Sequence, residues 1–150
     1  MSFAVDLNLL VYAVAEASPF HAAARAFLDR CVEEPETMCL SWPVLMGFLR
    51  LTTHPRIVSP PLAPERALEN VSSLVGLPHV RVLAEADGFL EVYRETTAGI
   101  SVRGNLVADA HYAALLRQHG VRRLYSNDTD FRKFRFLDVR NPLEAGSAAR

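Results

Sequence analysis

Five short runs rich in apolar and β-favouring residues, "SFAVD", "TMCL", "HVRVL", "RRLYSN" and "FRFLDV", are separated by longer segments with helical periodicity. Strands that alternate with helices favour a parallel sheet, because a parallel pair needs a crossover connection and the crossover helices cover the sheet faces. "LNLLVYAVAEA" continues directly from the first run as an apolar helix. "FHAAARAFLDRCVEE" follows, with Pro19 at its first turn and Pro35 as its stop. Ser41 and Pro43 make a helix start for "PVLMGFLRLTT", "PERALENVSSLVGL" is stopped by Gly76 and Pro78, and "EADGFLEVYRETTAGI" ends near Gly99. "LVADAHYAALLRQHG" is strongly apolar and closes on Gly120. The expected architecture is therefore α/β in three layers, a central, mostly parallel sheet of about four to five strands between helices.

The 150 residues, half of them apolar and about a fifth charged, are enough for one globular domain with a real core. That domain is read as residues 1–150, with its core over about 3–142 and a short C-terminal tail. No apolar run approaches the roughly 20 residues of a membrane span. The apolar N-terminus lacks a basic leader and is interrupted by Asp6, a poor signal peptide. Cys31 and Cys39 fit neither a metal-ligand spacing nor a disulfide framework, so reduced thiols and a cytoplasmic location are expected.

In open parallel sheets ligands bind beyond the carboxyl ends of the strands. Asp6 ends the first strand, Asp128 and Asp130 follow "RRLYSN", and Asp109 lies early in the helix that feeds that strand. Three separate segments thus deliver four carboxylates to one sheet edge. Taken singly, each has an ordinary structural use: Asp6 as a helix cap, Asp109 at a helix start, Asp128 in an Asx turn, Asp130 as surface charge. Jointly they form an oxygen-rich cluster of the kind that binds Mg²⁺ or Mn²⁺. Asp109 stands in an otherwise apolar helix, where a carboxylate needs a partner.

"VDLNLL", "NLVADAHYAAL" and "SNDTDFRKF" together resemble the PIN domain, and "WPVLMGFLRLTTHPRI" is similar to the mycobacterial branch of VapC toxins from type II toxin–antitoxin pairs. The likeness runs from about Phe3 to Pro142. The resemblance implies a Mg²⁺-dependent endoribonuclease, with Mn²⁺ able to substitute, that cuts structured RNA such as tRNA or rRNA. It carries the metal-binding and catalytic roles to Asp6, Asp109 and Asp128, with Asp130 supporting at one remove and Asn8 and Asn105 as polar neighbours. It also implies a VapB-like antitoxin partner and a homodimer. One departure stands out. The wider family has a glutamate in the helix after the second strand, but no Asp or Glu occurs from Thr37 to Pro64, and Gly47 stands near the expected position. A site built this way holds its ion with fewer protein oxygens and more water.

The net charge of −1 gives no global attraction for nucleic acid. Arg103, near Asp109, and Arg132 and Lys133, just past the acidic turn, are the candidate phosphate contacts, against the alternative of a solvated basic face. Two other functions compete. A degenerate PIN module that only binds a partner is favoured by the missing glutamate and opposed by the four aspartates. A Mg²⁺ phosphotransferase built on an Asp at the first strand end needs a lysine placed for phosphate, and Lys133 is the only lysine in the chain.

Overall fold

The structure, a computed structural model, describes residues 1–144; the short C-terminal tail from residue 145 lies outside the described residues. The strands are β1 (Ser2–Val5), β2 (Thr37–Ser41), β3 (Val80–Leu83), β4 (Arg123–Tyr125) and β5 (Asp138–Arg140). They form one parallel sheet in the order β3-β2-β1-β4-β5. The helices are α1 (Leu7–Tyr12), α2 (His21–Glu33), α3 (Trp42–Thr52), α4 (Pro64–Val75), α5 (Phe89–Thr97) and α6 (Leu106–Gln118). α1 packs on α2 and α3, and α3 on α4, whereas α5 packs on α6. Right-handed crossovers that run to opposite sides of β1 put these two groups on opposite faces, giving three layers.

The strand order reverses at β1. The chain moves outward from β1 through β2 to β3, then returns to β4 on the other side. The crevice at the carboxyl ends of β1 and β4 is therefore a topological switch point, where open α/β sheets place their ligands. Register fixes what meets there: Val5 pairs with Tyr125, and the Asp6 amide donates to the Tyr125 carbonyl at 2.9 Å. The next residue on each strand, Asp6 and Ser126, therefore emerges side by side.

Beneath this edge the core is closely filled by Ala4, Val5, Met38, Leu40 and Leu124 from the sheet and Leu9, Leu45, Leu115 and Leu116 from the helices. Burying one such side chain stabilises the fold by about 1.5–3 kcal/mol. Tyr112 ties two strands together. Its hydroxyl donates to the Val5 carbonyl at 2.9 Å and lies 3.5 Å from that of Cys39.

Three local expectations shift. The first helix stops at Tyr12 rather than continuing to Ala17, and the helix read from Glu85 begins at Phe89, because Gly88 takes a left-handed turn at φ 79° immediately before it. The run "FRFLDV" is a strand only in its last part. Residues Thr129–Lys133 form a 3₁₀ turn, and Phe131 and Phe134, three apart, are both driven into the core. The Leu137 amide then donates back to the Phe134 carbonyl at 3.0 Å, so the chain extends only from Asp138. Cys31 and Cys39 are free buried thiols, and burial pushes that of Cys31 up to about 12. Among the described residues no helix is long and apolar enough to cross a membrane.

Candidate metal centre

A cleft of about 160 Å³ opens at the switch point, and Asp6, Asn8, Asp109, Tyr112 and Asp128 are among its lining residues. Three segments supply its acids, as their places in the chain imply: the end of β1, the first turn of α6 and the loop after β4. Carboxylate oxygens of Asp109, Asp128 and Asp130 all lie within 4.8 Å of one another. Asp6 sits deeper, 7% exposed, and is committed to a different contact. Its Oδ2 accepts a hydrogen bond from the Ser126 hydroxyl at 2.8 Å.

Ser126 is the neighbour of the acids that the sequence reading missed. It is buried, and its Oγ also accepts from the Asp128 amide at 2.9 Å. Asp128 Oδ1 in turn accepts from the Asp130 amide at 2.9 Å, the Asx turn expected of it, which opens the 3₁₀ turn. These bonds form a relay Asp6–Ser126–Asp128–Asp130 that ties the Asp6 and Asp128 carboxylates to the backbone of the loop after β4. The signal for Ser126 was positional: a strand pairing that sets Val5 against Tyr125 puts residue 126 beside Asp6.

Electrostatics marks the cluster as short of positive charge. Burial raises the Asp6 carboxyl from 3.8 to about 6, with a smaller push from Asp128, while the Ser126 hydrogen bond pulls the other way. Burial also raises Asp109 to about 6, with repulsion from Asp128, Asp6 and Asp130 adding to it and Lys133 opposing. Lys133 reaches Asp130 at 3.1 Å, but both side chains are half-exposed. Such a set, all oxygen and converging on one point, matches the donor chemistry of a hard divalent cation. The residues present therefore fit Mg²⁺ or Mn²⁺.

The remaining candidates divide. Asn8 lines the cleft. Asn105 is exposed at the α6 N-cap, without a side-chain capping bond. Arg103 is exposed and its guanidinium donates to the Ser101 hydroxyl at 2.8 Å. Arg132 and Lys133 line a separate groove beyond Asp130. His111 also borders the cleft; its ring is held by the Glu85 carboxylate and packs edge-on against Phe89, 5.5 Å between centroids.

Gly47 is buried in α3, and a Cβ built on it would lie 2.6 Å from Leu7 Cδ2. Leu7 lines the cleft, so hydrocarbon fills the space into which a longer residue at 47 would project. Trp42 and Met46, one turn apart on the same helix, are both about half-exposed, whereas Phe48 is core.

The PIN-domain family profile matches residues 3–137. Ribonuclease VapC48 of Mycobacterium tuberculosis is 46% identical over 143 residues, covering 95% of this chain and 99% of the relative. Ribonuclease VapC43 of the same organism is 34% identical over 140 residues, 93% of this chain and 95% of the relative. Among solved structures, the sarcin-ricin loop cleaving toxin VapC20 of M. tuberculosis superposes with a TM-score of 0.64 at 20% identity, covering 87% of this chain and 93% of that one. VapBC2 from Rickettsia felis, bound to a promoter DNA fragment, gives a TM-score of 0.66 at 16% identity over 94% and 98% of the two chains.

Proposed function

The chain belongs to the PIN-domain family and is a VapC-type toxin within it, and from that premise we propose that it is an endoribonuclease that depends on Mg²⁺ or Mn²⁺ and cuts structured RNA of the tRNA or rRNA class. The observation that carries this reading is the convergence of Asp109, Asp128 and Asp130 within 4.8 Å, beside a buried Asp6 whose carboxyl is raised to about 6. Asp6, Asp109 and Asp128 would hold the ion. Asp130 completes the acidic wall, and Asn8 and Asn105 are polar neighbours of the site. When bound, the cation supplies charge neutralisation at the scissile phosphate and a lowered pKa for the attacking water.

The chain's own residues do the rest. Ser126 orients Asp6 and favours its anionic form through the hydrogen bond that its hydroxyl donates to Oδ2. Asp128 is held at the turn by the Ser126 and Asp130 contacts and lines the cleft. A carboxylate oxygen of the cleft left free of the ion would accept the proton from the nucleophile. Lys133, at Asp130, and the nearby Arg132 and Arg103 offer positive charge to substrate phosphates, which the bare acidic cleft would repel.

A VapB-like antitoxin is the proposed protein partner, supported by structural neighbours that are VapBC complexes. Homodimerisation is proposed through the apolar early helices, where Trp42 and Met46 of α3 are exposed. The function is tested by incubating the purified chain with tRNA and rRNA fragments in Mg²⁺, in Mn²⁺ and in chelator, beside an Asp109→Asn variant. Cleavage that requires metal and is lost in the variant is expected. A folded chain that leaves every RNA intact with either ion contradicts the nuclease reading and favours a module that acts by binding alone, the reading that Leu7 packed over Gly47 would then explain.

A further inference from the structure

His111 stands on the wall of the acidic cleft, on the same helix as Asp109, and is not one of the proposed ligands. Its Nε2 bonds the Glu85 carboxylate, and its ring packs edge-on against Phe89. We propose that His111, oriented by Glu85, reads the 2′-hydroxyl of the ribose whose 3′-oxygen carries the scissile phosphate, and so separates RNA from DNA. The proposal rests on the nuclease reading above and names the residue behind its sugar specificity.

Three observations carry it. First, the ring presents one uncommitted polar atom. An ionised carboxylate only accepts, so Nε2 carries the hydrogen of the Glu85 bond, and that bond holds the Glu85 carboxyl below its ordinary value. Nδ1 has no partner among the described residues and is open to solvent. With Nε2 occupied, Nδ1 is the ring atom that a molecule in the cleft can meet.

Second, the surroundings select a neutral hydroxyl over a phosphate. Glu85 lies against the ring, and Asp109 and Asp128 line the same cleft. A phosphodiester only accepts hydrogen bonds, and here it would face these negative charges. A 2′-hydroxyl both donates and accepts, so it pairs with Nδ1 whether or not that nitrogen carries a hydrogen. Mg²⁺ favours oxygen ligands, which leaves the imidazole to the substrate. With the scissile phosphate at the acids, the adjoining ribose comes nearest to the wall, and the base lies beyond it.

Third, the fold does not need the pair. Both side chains are partly exposed, and ion pairs of that kind contribute little to stability. The loop that carries Glu85 is anchored separately. Gln118 bonds the Ala86 amide and the Ala86 and Asp87 carbonyls, and His119 donates to the Ala84 carbonyl at 2.7 Å. These contacts hold Glu85 in position, so the ring is fixed before substrate arrives.

The test crosses protein variants with a substrate variant. The RNA fragment that wild type cuts is resynthesised with one 2′-deoxynucleotide, immediately 5′ of the cut. Wild type should cut the all-ribose fragment roughly 3–10-fold faster in kcat/KM, the effect of one neutral hydrogen bond. His111→Ala should cut both fragments at about the wild-type rate on the deoxy fragment, so that the preference disappears. Glu85→Gln, which keeps the ring but weakens its hold, should fall between. His111→Asn runs beside them, so that the comparison survives a poorly active alanine chain, and melting temperatures establish that each variant is folded. A merely structural role slows both fragments alike and leaves the preference at its wild-type value. That result, or a wild type without any preference, overturns the proposal while the nuclease reading stands. A shift in which nucleotide is cut, with the sugar preference unchanged, assigns His111 to a base and overturns it too. If wild type cuts no RNA with either ion, both readings fall.

Discussion

The Ser126 hydroxyl, 2.8 Å from Asp6 Oδ2, joins the end of β4 to the deepest acid of the cleft. It is the one side-chain donor in a relay whose other donors are the Asp128 and Asp130 backbone amides, and it favours the charged form of an aspartate that burial pushes toward neutrality. Ser126→Ala should therefore weaken divalent-ion binding by roughly 10–100-fold, the usual loss when a ligand's orienting partner is removed. Ser126→Thr should recover most of it. Titration with Mn²⁺ measures both; equal affinity in Ser126→Ala and wild type would show that the bond does not serve the ion.

Leu7 and Gly47 form a second coupled pair, since a Cβ at 47 falls 2.6 Å from Leu7 Cδ2. Gly47→Glu must displace the end of the Leu7 side chain, so it should destabilise the fold by about 1 kcal/mol, the better helix propensity of glutamate opposing. Removing the obstruction with Leu7→Ala in the same chain should restore part of the melting temperature and tighten Mn²⁺ binding relative to wild type. If Gly47→Glu is as stable as the parent, the two residues are not coupled.

The acid pair predicts an unusual pH dependence. In the folded chain Asp6 and Asp109 titrate near 6 instead of 3.8, so between those values the native state binds more protons than the unfolded state. Stability of the metal-free chain is then greatest below about pH 4 as far as these groups are concerned, and declines as pH rises through 6. For Asp6 the interval corresponds to about 3 kcal/mol, and half-exposed Asp109 adds less. Mg²⁺, which binds the ionised carboxylates, should recover the lost stability at and above pH 6. Melting curves from pH 4 to 8 with and without Mg²⁺ check this; a stability that rises through the same window would contradict it.

Tyr112 borders the cleft but its hydroxyl is turned to the strands. Its role is structural, so Tyr112→Phe should lower stability by about 1 kcal/mol while leaving metal affinity and RNA cleavage near wild type. A large fall in turnover with an unchanged melting temperature would place Tyr112 in the chemistry instead.

Much of this was legible in residue order, and the reasons are specific. Asp6 could be placed because a strand buried on both faces must end where a charge begins, and Asp109 because it interrupts an apolar helix. The parallel sheet followed from alternation alone. Two features were not legible. Ser126 acts through a neighbour 120 positions away, and only strand register makes them adjacent. The run "FRFLDV", which opens on Phe134, reads as a strand throughout. Instead, Phe131 and Phe134 serve a 3₁₀ turn, whose three-residue period matches their spacing. That turn also draws Asp130, expected at one remove, into the set of oxygens with Asp109 and Asp128.

The central claim is that these carboxylates hold a divalent cation, and the direct measurement is calorimetric titration of the purified, metal-free chain with Mn²⁺ near neutral pH, beside Asp109→Asn and Asp128→Asn. Saturable binding in wild type, accompanied by proton release and strongly weakened in both variants, is the predicted result. Binding of equal strength in all three chains, or none in any of them while each remains folded, would contradict it.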